Sequence, residues 1–224
     1  MKINKKQGIA RHPLARIFTD RTLRLRITLA AGLLFNLAYV LYNLLPALLY
    51  GSIWAISSTV YYLSVAIVRA VLIYRARRTA SPYRTVLRIG IALLVLDAAI
   101  VLMIAYTAAQ GRTLPYPPYY VVGYALFTLY SLTSSSVRIL SSLRRDAPIA
   151  FATGNLTLTV AITSTYSLQH SLLVALGATA SELRSMGILT ATFIAVAVPT
   201  VAVSVILTAL SRLGDPSPNP PSRV

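Results

Sequence analysis

Three charged side chains lie inside stretches of this sequence that are otherwise apolar: Arg69, Asp97 and Arg138. Arg69 follows the run SSTVYYLSVAIV and precedes a basic cluster that begins at Arg75. A carboxylate and two guanidinium groups in such surroundings can pair with each other, snorkel to the nearest interface, or line a hydrated site that a solute occupies or crosses. Other charged side chains are scarce in the apolar stretches.

The spacing of these charges along helices indicates how deep they lie. Arg69 is six residues before Arg75 and therefore about 9 Å deeper along a helix. Asp97 is nine residues past Arg88 and therefore about 13–14 Å deep. An isolated charge at the centre of a bilayer costs roughly 2.5–3.5 kcal/mol on insertion scales. We therefore expect Asp97 to pair with Arg69 or Arg138. The other arginine would take a backbone carbonyl, a lipid phosphate or an anion.

Polar residues recur at intervals of three, four or seven positions on four apolar stretches, which indicates one polar stripe on each predicted helix. The stripes are Asn36, Tyr39 and Asn43; Ser58, Tyr62 and Arg69; Tyr124, Thr128, Ser131, Ser135, Arg138 and Ser142; and Asn155, Thr159, Thr163, Tyr166 and His170. Lipid offers these groups no hydrogen-bond partners, so the stripes should face the interior. The predicted intramembrane polar centre comprises Asp97, Arg69, Arg138, Asn36, Ser135 and Asn155. Small polar residues that only bring helices together are the alternative interpretation.

Six apolar spans position these residues and predict an all-α, polytopic membrane protein with six transmembrane helices. The predicted spans are 27–48, 52–74, 86–109, 120–143, 148–175 and 180–211. Pro148 stands at a favoured first-turn position, and Thr179 with Glu182 forms a capping-box pattern before the last span.

Composition supports a membrane location. Of the 224 residues, 56% are hydrophobic and 12% are charged, whereas soluble domains carry about 25% charged residues. The net charge of +16 comes from basic residues that flank apolar spans, which favours contact with anionic inner-leaflet lipid over nucleic acid.

The distribution of basic residues predicts the topology. Seventeen Lys and Arg residues fall on one side of the predicted spans, and only Arg112 and Arg184 fall on the other. The positive-inside rule then places both termini in the cytoplasm. Residues 1–26 form a basic arm, either an amphipathic helix on the inner leaflet or a flexible topogenic segment. Residues 27–211 form the transmembrane domain, and 212–224 are predicted to be a disordered tail.

The second and fourth spans share the pattern T-x-Y-x-L-x4-V-R-x5-R, starting at Thr59 and Thr128. Both spans run in the same direction, so the pattern suggests repeated helical hairpins of one orientation. Chance agreement in a biased composition is the alternative.

The stretch FNLAYVLYNLLPALLYGSIWAISSTVYYLSVAIVRAVL, residues 35–72, resembles the opening hairpin of a family of uncharacterised six-span membrane proteins of Gram-positive bacteria. The resemblance covers the first two spans and implies a bacterial cytoplasmic membrane. It implies no activity and no site residues.

The sequence favours a small transport or channel-like unit, since intramembrane charge converges with polar stripes. Six spans leave little room for a monomeric pore, so we expect a homo-oligomer or a larger membrane complex. The alternative is a non-transporting membrane partner, such as an assembly, regulatory or lipid-interacting subunit. The sequence contains no cysteine and no hydrolase, P-loop or dinucleotide motif. We therefore expect no catalytic residues, metal or cofactor; a lipid-modifying enzyme is the weakest alternative.

Overall fold

The computed structural model describes residues 21–75, 82–110, 119–143 and 147–214. Within these ranges the chain forms six α-helices and no strand, which confirms the predicted all-α class. The helices are α1 (Arg21–Tyr50), α2 (Ile53–Arg75), α3 (Pro82–Gln110), α4 (Tyr119–Leu143), α5 (Pro148–Ala175) and α6 (Ala180–Leu213). Each contains most of one predicted span. Residues 1–20 of the predicted arm and 215–224 of the predicted tail lie outside the described residues.

Local sequence signals explain where several helices begin. Ser52 accepts a hydrogen bond from the Ala55 amide at 3.2 Å and so caps the start of α2, one residue after Gly51, whose φ is +57°. Thr179 and Glu182 form the predicted capping box at the start of α6. Each cap satisfies amide groups that the first helical turn leaves without intrahelical partners.

Four of the described helices are long and apolar enough to cross a membrane, as expected for a multi-pass membrane protein. They contain the segments Leu29–Tyr50, Ile53–Tyr74, Pro82–Gln110 and Ala180–Leu213. Helices α4 and α5, with 25 and 28 residues, are long enough but less apolar than these four. These two helices carry the two longest polar stripes, which lowers their hydropathy.

The central element of the bundle is α5. It packs against α2, α3, α4 and α6, and buried residues occur all around its circumference. Its closest neighbour is α4, just as α1 pairs with α2 and α3 with α6. Gly154 permits the close approach of α5 to α4, because a Cβ there would lie 3.1 Å from the Ile139 backbone nitrogen. Most polar residues of α5 are thus enclosed by protein.

Aromatic side chains fill the contact between α1 and α4. Phe127 of α4 lies nearly parallel to both Tyr39 and Phe35 of α1, with interplanar angles of 8° and 5°. Tyr42 lies one turn after Tyr39 on α1, and Tyr120 lies two turns before Phe127 on α4. The Tyr42 hydroxyl donates a hydrogen bond to the Tyr120 carbonyl at 3.1 Å. These large rings hold α1 against α4 where the backbones are not in close contact.

Candidate functional site

The four polar stripes face the interior of the bundle, as predicted. Asn36 and Asn43 of α1, Ser58 and Tyr62 of α2, and the stripe residues of α5 are all buried. The α4 stripe is buried along its length except at Arg138, which is partly exposed. Two hydrogen bonds join stripes on different helices: Thr128 to Ser164 at 2.9 Å, and the Tyr124 hydroxyl to the Asn43 side-chain oxygen at 3.4 Å.

The two arginines of the predicted polar centre lie together. The guanidinium groups of Arg69 on α2 and Arg138 on α4 both approach Gly32 of α1, and the Arg138 Nη1 and Nη2 atoms lie 3.6 Å and 3.5 Å from the position that a Cβ would take on Gly32. The Arg69 Nη1 atom lies closer still to this position. The two cations are therefore only a few ångströms apart, and we call this group, together with Thr157, the arginine cluster.

Among the described residues, one hydrogen bond holds Arg69 in the cluster. Its Nη2 donates to the Thr157 hydroxyl of α5 at 2.8 Å, and that hydroxyl in turn donates to the Thr153 carbonyl at 2.8 Å. The side chain is only 2% exposed. Its Nε atom has no hydrogen-bond partner among the described residues. A buried guanidinium thus retains unused donor capacity, which is costly in the interior of a protein.

A second polar group surrounds Asp97 of α3, which is 0% exposed. The Tyr61 hydroxyl of α2 faces both the Asp97 carboxyl group and the Thr163 hydroxyl of α5. Even so, neither carboxyl oxygen, nor either hydroxyl, has a partner with hydrogen-bonding geometry in the part of the chain that the structure describes. Asp97, Tyr61 and Thr163 therefore form a buried polar group, here called the aspartate group, whose hydrogen-bonding capacity is unused.

The predicted pairing of Asp97 with Arg69 or Arg138 is wrong. Asp97 lies beside Tyr61, and Tyr61 is eight residues from Arg69, or about 12 Å along α2. The reason is the start of α3. That helix begins at Pro82, six residues before Arg88, from which the depth of Asp97 was predicted. The carboxyl group therefore lies about 22 Å along α3. The polar interior accordingly has two levels rather than one centre.

Asn36, Ser135 and Asn155 are all buried, as predicted, and Ser135 and Asn155 each donate a hydrogen bond within their own helix. Ser135 donates to the Leu132 carbonyl at 2.8 Å, and Asn155 donates to the Phe151 carbonyl at 3.0 Å. The Asn36 Nδ2 atom has no partner within the described ranges. Asn36 lies one turn beyond Gly32, and Ser135 lies one turn before Arg138. These residues therefore line the interior next to the arginine cluster.

The sequence did not predict three residues of the arginine cluster and the aspartate group: Gly32, Thr157 and Tyr61. Gly32 carried a usable signal, because a glycine inside an apolar helix often marks a close approach of another group. Thr157 and Tyr61 lie off the polar stripes. Their roles depend on the rotation of each helix about its axis, which spacing alone does not fix.

The described residues include no group of three His, Cys, Asp or Glu side chains that could bind a metal ion. No protein-family model, curated protein or solved structure matches this chain. The resemblance to the Gram-positive membrane family therefore stays a prediction.

Proposed function

We propose that this chain is a small membrane transport or channel-like unit in which the aspartate group binds the transported cation or proton. The observation that carries the proposal is the complete burial of Asp97 without a hydrogen-bonding partner in the described residues. An unpaired buried carboxylate costs several kcal/mol, so the group is expected to take up a proton or a cation. Ionisable groups retained inside membrane bundles mark ion and proton pathways.

The surroundings of Asp97 support the same proposal. Hydroxyl groups with unused hydrogen-bonding capacity continue from the aspartate group along α2 and α5, and several lack a partner in the described ranges. They are Ser58, Tyr61, Thr159, Thr163 and Ser167. A row of such groups offers oxygen ligands to a cation or to water molecules that relay a proton. A purely structural interior would be better served by apolar residues of similar size.

The proposal includes the placement of the chain. All six helices would cross a bacterial cytoplasmic membrane with both termini in the cytoplasm, and α4 and α5 would be shielded from lipid by the four apolar helices and by neighbouring copies. A homo-oligomer would supply the space that six helices alone do not. The basic residues at the cytoplasmic side would contact anionic lipid.

Flux measurements in proteoliposomes test the proposal. The wild-type chain, reconstituted with a pH-sensitive dye inside, should conduct protons when a potassium gradient and valinomycin impose a membrane potential; Na⁺ and K⁺ fluxes are measured in parallel. Asp97→Asn should reduce the conducted flux at least about tenfold, because a neutral amide neither ionises nor balances a cation.

Glu182→Gln is the matched control, because Glu182 is the other acidic residue that the structure describes and it is exposed at the start of α6. Glutamine preserves the capping box, so this variant should conduct like the wild type. If Asp97→Asn conducts normally, Asp97 is not part of the pathway. If folded wild-type protein conducts no better than empty liposomes, the alternative of a non-transporting membrane subunit is favoured.

A further inference from the structure

The arginine cluster brings two cations together in the interior. Arg69 and Arg138 converge on Gly32 from different helices, and Arg69 is 2% exposed. Like charges at this separation repel each other, and a low-dielectric interior strengthens that repulsion. The Asp97 carboxyl group, which the sequence suggested as their counter-ion, lies at another level and is not bonded to either. Among the described residues, Arg69 has no acidic partner that would offset this repulsion.

We propose that the arginine cluster is a binding site for a phosphate oxyanion. Guanidinium groups present planar, forked donors that match phosphate oxygens in pairs, and two of them converging on one point can hold an oxyanion between them. Two further features fit this ligand. The Arg69 Nε atom is buried without a partner in the described residues, and Gly32 has no Cβ that would displace the Arg69 guanidinium group from its place beside that of Arg138.

The position of the site limits where the phosphate comes from. Arg69 lies six residues before the end of α2, and Arg138 five residues before the end of α4, so both are within about 9 Å of the same end of the bundle. Arg138 is partly exposed and connects the buried Arg69 to the surface. The phosphate is therefore a lipid headgroup that enters from the side or a free anion that enters from the end.

Titration of the full-length protein with inorganic phosphate, in a non-ionic detergent and by calorimetry, tests the free anion. Arg138→Gln should weaken binding at least about tenfold, because the substitution removes hydrogen bonds between a charged donor and the phosphate. Gly32→Ala should also weaken binding, although it alters no charge, because its Cβ meets the Arg69 guanidinium. Arg88→Gln is the control: Arg88 is exposed on α3, so its loss should leave the affinity unchanged.

Lipid retention tests the other source. The protein is exchanged into mixed micelles of phosphatidylglycerol and detergent, and bound lipid is counted by native mass spectrometry. The site is assigned to a lipid headgroup if the wild type and Arg88→Gln retain lipid but Arg138→Gln and Gly32→Ala lose it. Phosphate binding with the same variant pattern and no retained lipid assigns it to a free anion.

The proposal is overturned if neither probe binds to the wild type. It is also overturned if Arg88→Gln weakens binding as much as Arg138→Gln, since that result would indicate general attraction to a basic surface. The site does not depend on transport. Asp97→Asn should bind phosphate normally, so failure of the flux experiment and failure of the phosphate experiment are distinguishable.

Discussion

Replacement of Arg69 by methionine tests whether this buried arginine reduces the stability of the fold. Methionine follows the path of the arginine stem and fills irregular apolar space. The variant loses the hydrogen bond to Thr157, which is worth about 1.5–3 kcal/mol because the donor is charged. Thr157 is not orphaned, because its hydroxyl still donates to the Thr153 carbonyl.

Two larger effects favour the variant. Removal of the Arg69 charge relieves its repulsion with Arg138, which is about 3 kcal/mol for charges roughly 5 Å apart at an effective dielectric constant of about 20. It also removes the penalty for burying a guanidinium, which is several kcal/mol per ion. In buffer without phosphate we therefore expect Arg69→Met to be more stable than the wild type by about 1–4 kcal/mol, the range seen when buried ions are replaced by apolar residues.

Unfolding in mixed detergent micelles with increasing SDS measures the difference. Trp54 is the sole tryptophan of the chain, it is 4% exposed, and its ring lies 4.9 Å from that of Tyr166 on α5. Its fluorescence thus reports on packing of α2 against the central helix. Arg88→Met, at an exposed position, should stay within about 0.5 kcal/mol of the wild type. A loss of more than about 1 kcal/mol in Arg69→Met, with Arg88→Met neutral, would refute the reasoning.

Two more predictions concern topology and packing. Because the chain has no cysteine, a single cysteine can be introduced at Ile3 in one variant and at Gln110 in another, and each variant can be labelled in intact cells. A membrane-impermeant maleimide should label only Gln110→Cys. Labelling of both variants would contradict the proposed orientation. In Gly154→Ala the new Cβ would lie 2.8 Å from Ile139 Cγ1, so this variant should lose about 1–3 kcal/mol of unfolding free energy. Gly187→Ala, whose nearest contact is 3.2 Å, gains the same helix propensity and should lose less; equal losses would exclude a packing cause.

The helices were predictable because their signals are local. The predicted span 148–175 agrees with α5 at both ends, since Pro148 marks the start and Gly177, with φ +76°, follows the end. The capping box at Thr179 was equally readable. Burial of the stripes also followed from sequence, because the period of a helix assigns residues to faces and lipid excludes unpaired polar groups from one of them.

The arrangement of charges was not predictable to the same degree. Depth along a helix depends on where the helix begins, and α3 extends four residues further towards its N-terminus than the predicted start at residue 86. This extension changes the depth assigned to Asp97 by several ångströms. Which helices neighbour each other is also absent from spacing, so the convergence of Arg69 and Arg138 on Gly32 required the three-dimensional structure.

The enclosure of α5 has a consequence for biogenesis. A segment with this many hydroxyl and amide side chains is a poor candidate for leaving the translocon into lipid by itself. During synthesis it emerges directly after α4, to which it packs most closely, and before α6, which covers another of its sides. We expect α5 to remain sheltered until α6 has been made, so that truncation before residue 180 would leave the nascent chain exposed to membrane quality-control proteases.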